Sequence, residues 1–239
     1  MNLILISADE LNPNHSIQLT DRRFKHIRKV HRAEVGDALK VGVINGELGT
    51  GEILHIDEQR VTLHVTLNSP PPPPLPVTLI LALPRPQMLK RTLQNIAAMG
   101  VKELHLLQTR RVEKSYWQTP LLIEETVHEQ LLLGLEQGRD TVLPRLYFHK
   151  RFRPFVEDEL AQLTEDQHKL VAHPGDFPHC PANVNEPTTL AIGPEGGFVD
   201  FEIEKLQAVG FKPIQMGARI LRVETAVPAL LYRLFGHLA

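Results

Sequence analysis

Apolar residues fall along this chain in two different rhythms, and the rhythm changes at a run of prolines. Before the run, short stretches alternate apolar and polar positions: Leu39-Lys40-Val41-Gly42-Val43, then Val61-Thr62-Leu63-His64-Val65-Thr66-Leu67. A period of two predicts half-buried strands. Asn45-Gly46 has the residues of a hairpin turn, and Gly49-Thr50-Gly51 reads as a further turn. Short strands so closely spaced predict a small β-barrel. One helix is predicted among them, Thr20 to Arg32, with Thr20 as a candidate N-cap. Phe24, Ile27 and Val30 or His31 share one side of it at helical spacing; Lys25, Arg28, Lys29 and Arg32 share another.

The run itself is Pro70-Pro71-Pro72-Pro73-Pro74-Leu75-Pro76, where six of seven residues lack a backbone donor. Neither a helix nor a central strand passes through such a segment. It is expected to be a semi-rigid polyproline II linker, the alternative being a PxxP ligand for an adaptor module. The expected domains are therefore 1–69 and 77–239, joined by the linker 70–76.

After the prolines, apolar strands alternate with helical stretches. Val77 to Leu83 reads as a strand, and Gln87 to Met99 as a helix ended by Gly100. Strand Glu103 to Gln108, helix Leu121 to Leu135 and strands Lys169 to His173 and Thr189 to Ile192 follow, then helix Asp200 to Val209, strand Pro213 to Met216 and helix Thr225 to Phe235. This alternation predicts an α/β domain with a mainly parallel sheet.

Composition narrows the class. At about 150 residues per domain, a length of 239 fits two units, and 42% hydrophobic with 23% charged residues is an ordinary globular balance. The single Cys180 excludes an internal disulfide and favours a reducing compartment. It also leaves the twelve histidines without thiolate partners at zinc spacing, so no metal is expected. The apolar run Leu3-Ile4-Leu5-Ile6 has no basic flank, and no apolar stretch approaches 20 residues. The expectation is a soluble, cytoplasmic protein with no membrane partner.

In open α/β sheets, ligands sit beyond the carboxyl ends of strands. Ile192-Gly193-Pro194-Glu195-Gly196-Gly197-Phe198 leaves one such end and enters a helix. Its glycines let backbone approach a ligand or serve a tight turn, and both readings stand at this point. It is neither a P-loop nor the GxGxxG fingerprint, which disfavours a dinucleotide enzyme. A second loop, Met216-Gly217-Ala218-Arg219-Ile220-Leu221-Arg222-Val223-Glu224-Thr225-Ala226, packs two arginines and a glutamate beside apolar residues.

These two segments resemble the signatures of the ribosomal RNA small subunit methyltransferase E family, in the SPOUT superfamily. Leu19-Thr20-Asp21 with His26, and Glu34-Val35-Gly36-Asp37, are similar to its N-terminal PUA-like barrel; Glu129-Gln130 with Arg139 resembles its middle segment. Leu83 to Arg91 and Glu136 to Asp140 depart from the commoner family pattern, which leaves the RNA target open. The resemblance implies a SPOUT-type α/β sheet with a C-terminal trefoil knot, homodimerisation, and S-adenosylmethionine as cofactor. It implies transfer of a methyl group to N3 of a uridine in 16S ribosomal RNA, either free or in the 30S particle.

Adenosylmethionine is a sulfonium cation without phosphates, so its site needs close backbone and apolar walls rather than lysine. The residues so implied are Val171, Ala172 and His173, then Ile192, Gly193, Pro194, Glu195, Gly196 and Gly197, and then Met216, Gly217, Arg219, Ile220 and Leu221. A uridine imide must lose its proton before N3 is methylated. Arg222 is the residue expected to stabilise the resulting anion, and Glu224 to orient Arg222 or accept the proton. Thr225 is alternatively the N-cap of the last helix.

The formal charge of -2 argues against a basic global field, yet residues 1–75 hold eight basic side chains of which six lie in Arg22 to Arg32. Arg22, Arg23, Lys25, Arg28, Lys29 and Arg32 are the expected phosphate contacts, the alternative being a solvated helix face. With aromatics at 5%, base stacking is expected to matter less than backbone contact. Competing functions are the same fold acting on tRNA or a ribose 2′-hydroxyl, and a non-catalytic RNA-binding assembly factor.

Overall fold

The computed structural model describes residues 2–238, so one terminal residue of each expected domain lies outside the described residues. The chain forms two compact units: residues up to Pro73 together with Leu132–Leu143, and Pro74–Leu131 together with Pro144 onward.

In the first unit, β1 (Ile4–Ile6), β3 (Ala38–Val43), β4 (Leu48–Ile56), β5 (Val61–Ser69) and β2 (Ser16–Leu19) form one sheet in that order. Only the β1–β3 pair is parallel. Alternation along β5 sends Val61, Leu63 and Val65 into a core with Ile17, Leu19, Val41 and Ile53. Asn45 takes φ 58°, as a hairpin turn requires.

Two local expectations change. Gly49 and Gly51 are strand residues rather than a turn: the ladder shifts register between Leu48 and Gly49, and a Cβ on Gly49 would meet the Thr66 carbonyl. Glycine there marks backbone approaching backbone. The basic helix begins later than expected, because Asp21 rather than Thr20 is the cap, accepting from Arg23 N at 2.8 Å. It is α1 (Arg22–His26), followed by a wider π turn over Ile27–His31 and ended by Arg32 at φ 52°. The wider turn breaks the expected stripe: Phe24 and Ile27 are buried, whereas Val30 is 64% exposed.

Leu132–Leu143 crosses the contiguous boundaries expected from the prolines because it completes polar groups of the first unit. Thr141 Oγ1 donates to the Gly46 carbonyl at 2.6 Å, Asn45 N donates to the Thr141 carbonyl at 2.8 Å, and Leu143 N donates to Asn45 Oδ1 at 2.9 Å.

The second unit is a six-stranded, fully parallel sheet in the order β11 (Lys212–Ile214), β9 (His168–Ala172), β10 (Thr188–Ile192), β6 (Val77–Ala82), β7 (Glu103–Leu107), β8 (Arg145–His149). Every residue of β6 and β10 is buried, as for central strands covered on both faces. The helices are α2 (Pro86–Ala98), α3 (Glu124–Gly138, of which the residues from Leu132 on belong to the first unit), α4 (Phe152–Pro154), α5 (Leu160–Leu163), α6 (Asp200–Ala208) and α7 (Val223–Phe235). Gly100 and Gly210 end their helices at positive φ. Helix α3 starts later than expected because Pro120–Leu122 forms a separate 3-10 turn capped by Thr119. Helix α7 starts earlier, with Arg222 at the N-cap, so Thr225 is not its cap. Among the described residues no helix is long and apolar enough to cross a membrane.

Candidate active site

Strands β11, β9 and β10 are neighbours, and because all run parallel, the loops leaving their carboxyl ends meet on one side of the sheet. The His173 amide prolongs the pairing of β9 with β11 by donating to the Ile214 carbonyl at 2.9 Å. The loop after β10 turns sharply, with Gly197 N donating to the Pro194 carbonyl at 2.7 Å and Gly197 at φ 73°. Gly193 has no room for a side chain, since a Cβ would lie 2.9 Å from Phe198 N and 3.1 Å from its ring. The tight turn is thus present, and what crowds Gly193 is Phe198 of the chain itself. After β11, Gln215 accepts from Gly217 N with its side chain, and Gly217 takes φ 109°.

The three loops enclose a cavity of about 510 Å³. Of the expected residues, Ala172, His173, Ile192, Gly193, Pro194, Glu195, Gly197, Met216, Gly217, Arg219, Ile220 and Leu221 line it. Val171 and Gly196 do not. Val171 is fully buried in the core with Ala191 and Phe198, and Gly196 turns outward beneath Arg111, whose guanidinium donates to its carbonyl. Arg222 and Glu224 also lie outside the lining. Arg222 is exposed at the N-cap of α7, its carbonyl accepting from Ala226 N at 2.7 Å. Glu224 Oε2 is buried without a hydrogen-bond partner, and among the described residues Arg222 and Glu224 make no ion pair.

Gln215, His179, Ile214, Val223, Ala226 and Leu230 also line the cavity, and sequence reasoning missed them. The apolar ones follow ordinary core patterns, and His179 enters through an isolated bridge to Gln215 that no local signal announces. The His173 imidazole is shifted below its ordinary pKa, chiefly by burial and further by the Arg111 charge, with Asp200 opposing. Its Nδ1 is buried without a partner. A neutral ring in that state offers a polar atom to a ligand. No cluster of His, Cys, Asp and Glu suited to a metal occurs among the described residues. Burial pushes the Cys180 thiol up to about 11, the state of an unreactive core thiol.

The six cations expected to meet phosphate divide into two sets. Arg22 makes a bidentate pair with Glu136, both bonds at 2.8 Å, and Arg23 is held by Glu10 and Asp21. The hydrogen bonds that Arg22 donates to Glu136 raise its pKa; for Arg23, burial opposes the charge but the bonds to Glu10 and Asp21 outweigh it. Lys25, Arg28, Lys29 and Arg32 are exposed, with Arg28 donating to the Glu58 carbonyl at 3.1 Å.

A parallel α/β unit with a glycine-walled cavity at its strand ends, carried on one chain with a small β unit that bears a cationic helix, is the organisation of a cofactor-dependent RNA-modifying enzyme. The family model for an RNA methyltransferase domain matches residues 71–234, and that for an RNA methyltransferase PUA domain matches residues 19–66. The ribosomal RNA small subunit methyltransferase E of Treponema pallidum is 30% identical over 238 residues, covering 96% of this chain and 88% of its own. The chain belongs to the ribosomal RNA small subunit methyltransferase E family. Among solved structures, the Neisseria gonorrhoeae member bound to S-adenosyl methionine superposes with a TM-score of 0.73 at 20% identity, over 97% of this chain and 95% of that one. A methyltransferase from Legionella pneumophila, in complex with the same cofactor, gives 0.72 at 24% identity over 96% and 95%. These two likenesses show that the chain shares their fold.

Proposed function

We propose that this protein uses S-adenosylmethionine to methylate N3 of a uridine in 16S ribosomal RNA. The observation that carries the reading is the cavity at the ends of β9, β10 and β11. Its volume lies within the range of roughly 300–1,000 Å³ common for small-molecule sites. Its walls also suit the cofactor. Ile192, Ile214, Leu221 and Leu230 supply apolar surface, Gly193 and Gly217 supply bare backbone, and no lysine lines it. Ala172, His173, Ile192, Gly193, Gly197 and Met216 would hold the cofactor, with His173 Nδ1 as a polar contact. When bound, S-adenosylmethionine supplies an electrophilic methyl group on a sulfonium centre.

The remaining chemistry belongs to the chain. The imide proton of uridine has to leave, and negative charge then spreads over N3 and the flanking carbonyl oxygens. Arg222, exposed at the amino end of α7, adds its guanidinium to the positive end of the helix dipole there. Both favour an anion at that position. An orienting pair between Glu224 and Arg222 is absent from this arrangement, so Glu224 is assigned the proton. The main contribution is assigned to Arg222.

The test is Arg222→Ala, which should abolish methyl transfer while calorimetry still records cofactor binding; a wild-type rate removes the role. Calorimetry that finds no S-adenosylmethionine binding by the wild type removes the whole reading. Mass spectrometry of 16S ribosomal RNA from a deletion strain should show one missing N3-methyluridine. Homodimerisation and a C-terminal knot belong to the same proposal. Deleting the chain from Leu221 onward should give insoluble or monomeric protein, and a soluble dimer would refute both.

A further inference from the structure

The segment after β7 spans residues 108–118 and is held at several points. Gln108 N donates to the His149 carbonyl at 2.8 Å, tying the segment's start to the end of β8. Gln108 Nε2 donates to the Val112 carbonyl at 2.8 Å, and Gln108 Oε1 accepts from the Trp117 indole at 2.6 Å. Glu202, 3% exposed, accepts from Arg110 N at 2.7 Å and from Val199 N at 3.0 Å. That carboxylate is thereby committed to backbone amides. One end of the segment reaches the cavity mouth, where Arg111 lies on Gly196; the other reaches the sheet edge, where Trp117 meets Phe148 edge-on with centroids 6.4 Å apart.

We propose that this segment and the end of β8 form a platform for single-stranded RNA flanking the target nucleotide, with Phe148 and Trp117 as its stacking surface. The inference rests on the RNA substrate proposed above. Three observations favour RNA as the occupant. Arg85, Arg110, Arg111, Lys114, Lys150 and Arg151 are all exposed, and they outnumber the acidic side chains near them, which include Glu113, Glu195, Asp200 and the buried Glu202. An excess of exposed cations suits a polyanion. Phe148, on an edge strand, is 45% exposed, and the indole beside it is fixed by Gln108, so a ring face is available without an ordering cost. The opposite face of β8 differs: there His105 and Tyr147 stack, Glu103 sits 3.0 Å from His105, and Glu159 sits 3.9 Å from His149. Tyr147 is exposed on that face too, but the carboxylates beside it direct a nucleic acid to the Phe148 side. The low aromatic content thus conceals a local pair placed where bases would pass.

Trp117 is the chain's one tryptophan, so its emission reports this surface directly. Titration of the full chain with unlabelled oligouridylate, in parallel with calorimetry, should quench the indole as RNA binds. Phe148→Ala should weaken RNA binding about fivefold or more, the loss expected for one stacked base. Charge reversal at Lys150 and Arg151, both exposed, should lower the slope of log affinity against log salt by about 1.4, as two phosphate contacts predict. All variants should keep wild-type S-adenosylmethionine affinity. RNA binding with unaltered emission, or with Phe148→Ala and the charge reversal both at wild-type affinity, overturns the platform, leaves the methyltransferase reading standing and points to a protein partner. A wild type that binds no RNA overturns both.

Discussion

Replacing Arg22 by alanine tests whether the cations of α1 and of the π turn after it act as one surface or as two sets. Glu136 is 1% exposed, and both its oxygens accept from the Arg22 guanidinium at 2.8 Å. Removing one partner of a buried ion pair typically costs about 3–5 kcal/mol, because the remaining charge is left desolvated. The Arg22 side chain is 43% exposed, so water entering the vacated volume would solvate part of Glu136. The expected loss is therefore about 2–3 kcal/mol, below the full range for a wholly buried pair. Urea unfolding followed by far-ultraviolet circular dichroism measures it. Lys29→Ala, on the exposed set, should change stability by less than about 0.5 kcal/mol. It should instead lower the salt slope of RNA binding by about 0.7, the contribution of one single-strand phosphate contact. A stability change under about 1 kcal/mol for Arg22→Ala, together with a reduced salt slope, would refute the division and return Arg22 to the RNA surface.

Gly193→Ala should cost about 1–3 kcal/mol by overpacking, because the new methyl would sit 2.9 Å from Phe198 N. It should also weaken cofactor binding, and unchanged melting temperature and affinity would count against the close-approach reading. The pH dependence of stability should carry a signature of His149, whose pKa is lowered from 6.5 to about 4 by burial and by neighbouring His105. The folded state then binds fewer protons than the unfolded one between those values, so this contribution is complete above the unfolded pKa of 6.5 and is lost as pH falls towards about 4. The slope should approach about 1.4 kcal/mol per pH unit, and His149→Phe should remove it. Equal slopes in both proteins would refute the assignment.

Much of the second unit is legible because its strands are continuous apolar runs and its helices end at Gly100 and Gly210, residues able to adopt positive φ. Strand β8 is not: it is an edge strand whose residues are half-exposed or exposed, and its apolar run is only Leu146-Tyr147-Phe148. The segment Phe152–Leu163 escapes notice because a π turn at Phe155–Glu159 interrupts its helical period. The two glycine-bearing loops of the site can be read from local composition. His179 and Leu230 cannot, since their place at the cavity depends on which strands become neighbours. The ion pairing of Arg22 is equally hidden, because its partner Glu136 lies 114 residues away.

The allotment of Leu132–Leu143 to the first unit has a consequence for how the chain matures. Before those residues leave the ribosome, Arg22 lacks Glu136 and the Asn45-Gly46 turn lacks Thr141. The amino-terminal sheet therefore cannot finish folding when its own strands have been synthesised. It has to wait for the nascent chain to lengthen by roughly as much again, a delay of seconds at about 5–20 residues per second. A fragment ending at Ser69 should behave as an incompletely packed intermediate. Completion of the amino-terminal unit is thus timed by translation of a stretch, Pro74–Leu131, that belongs to the other unit.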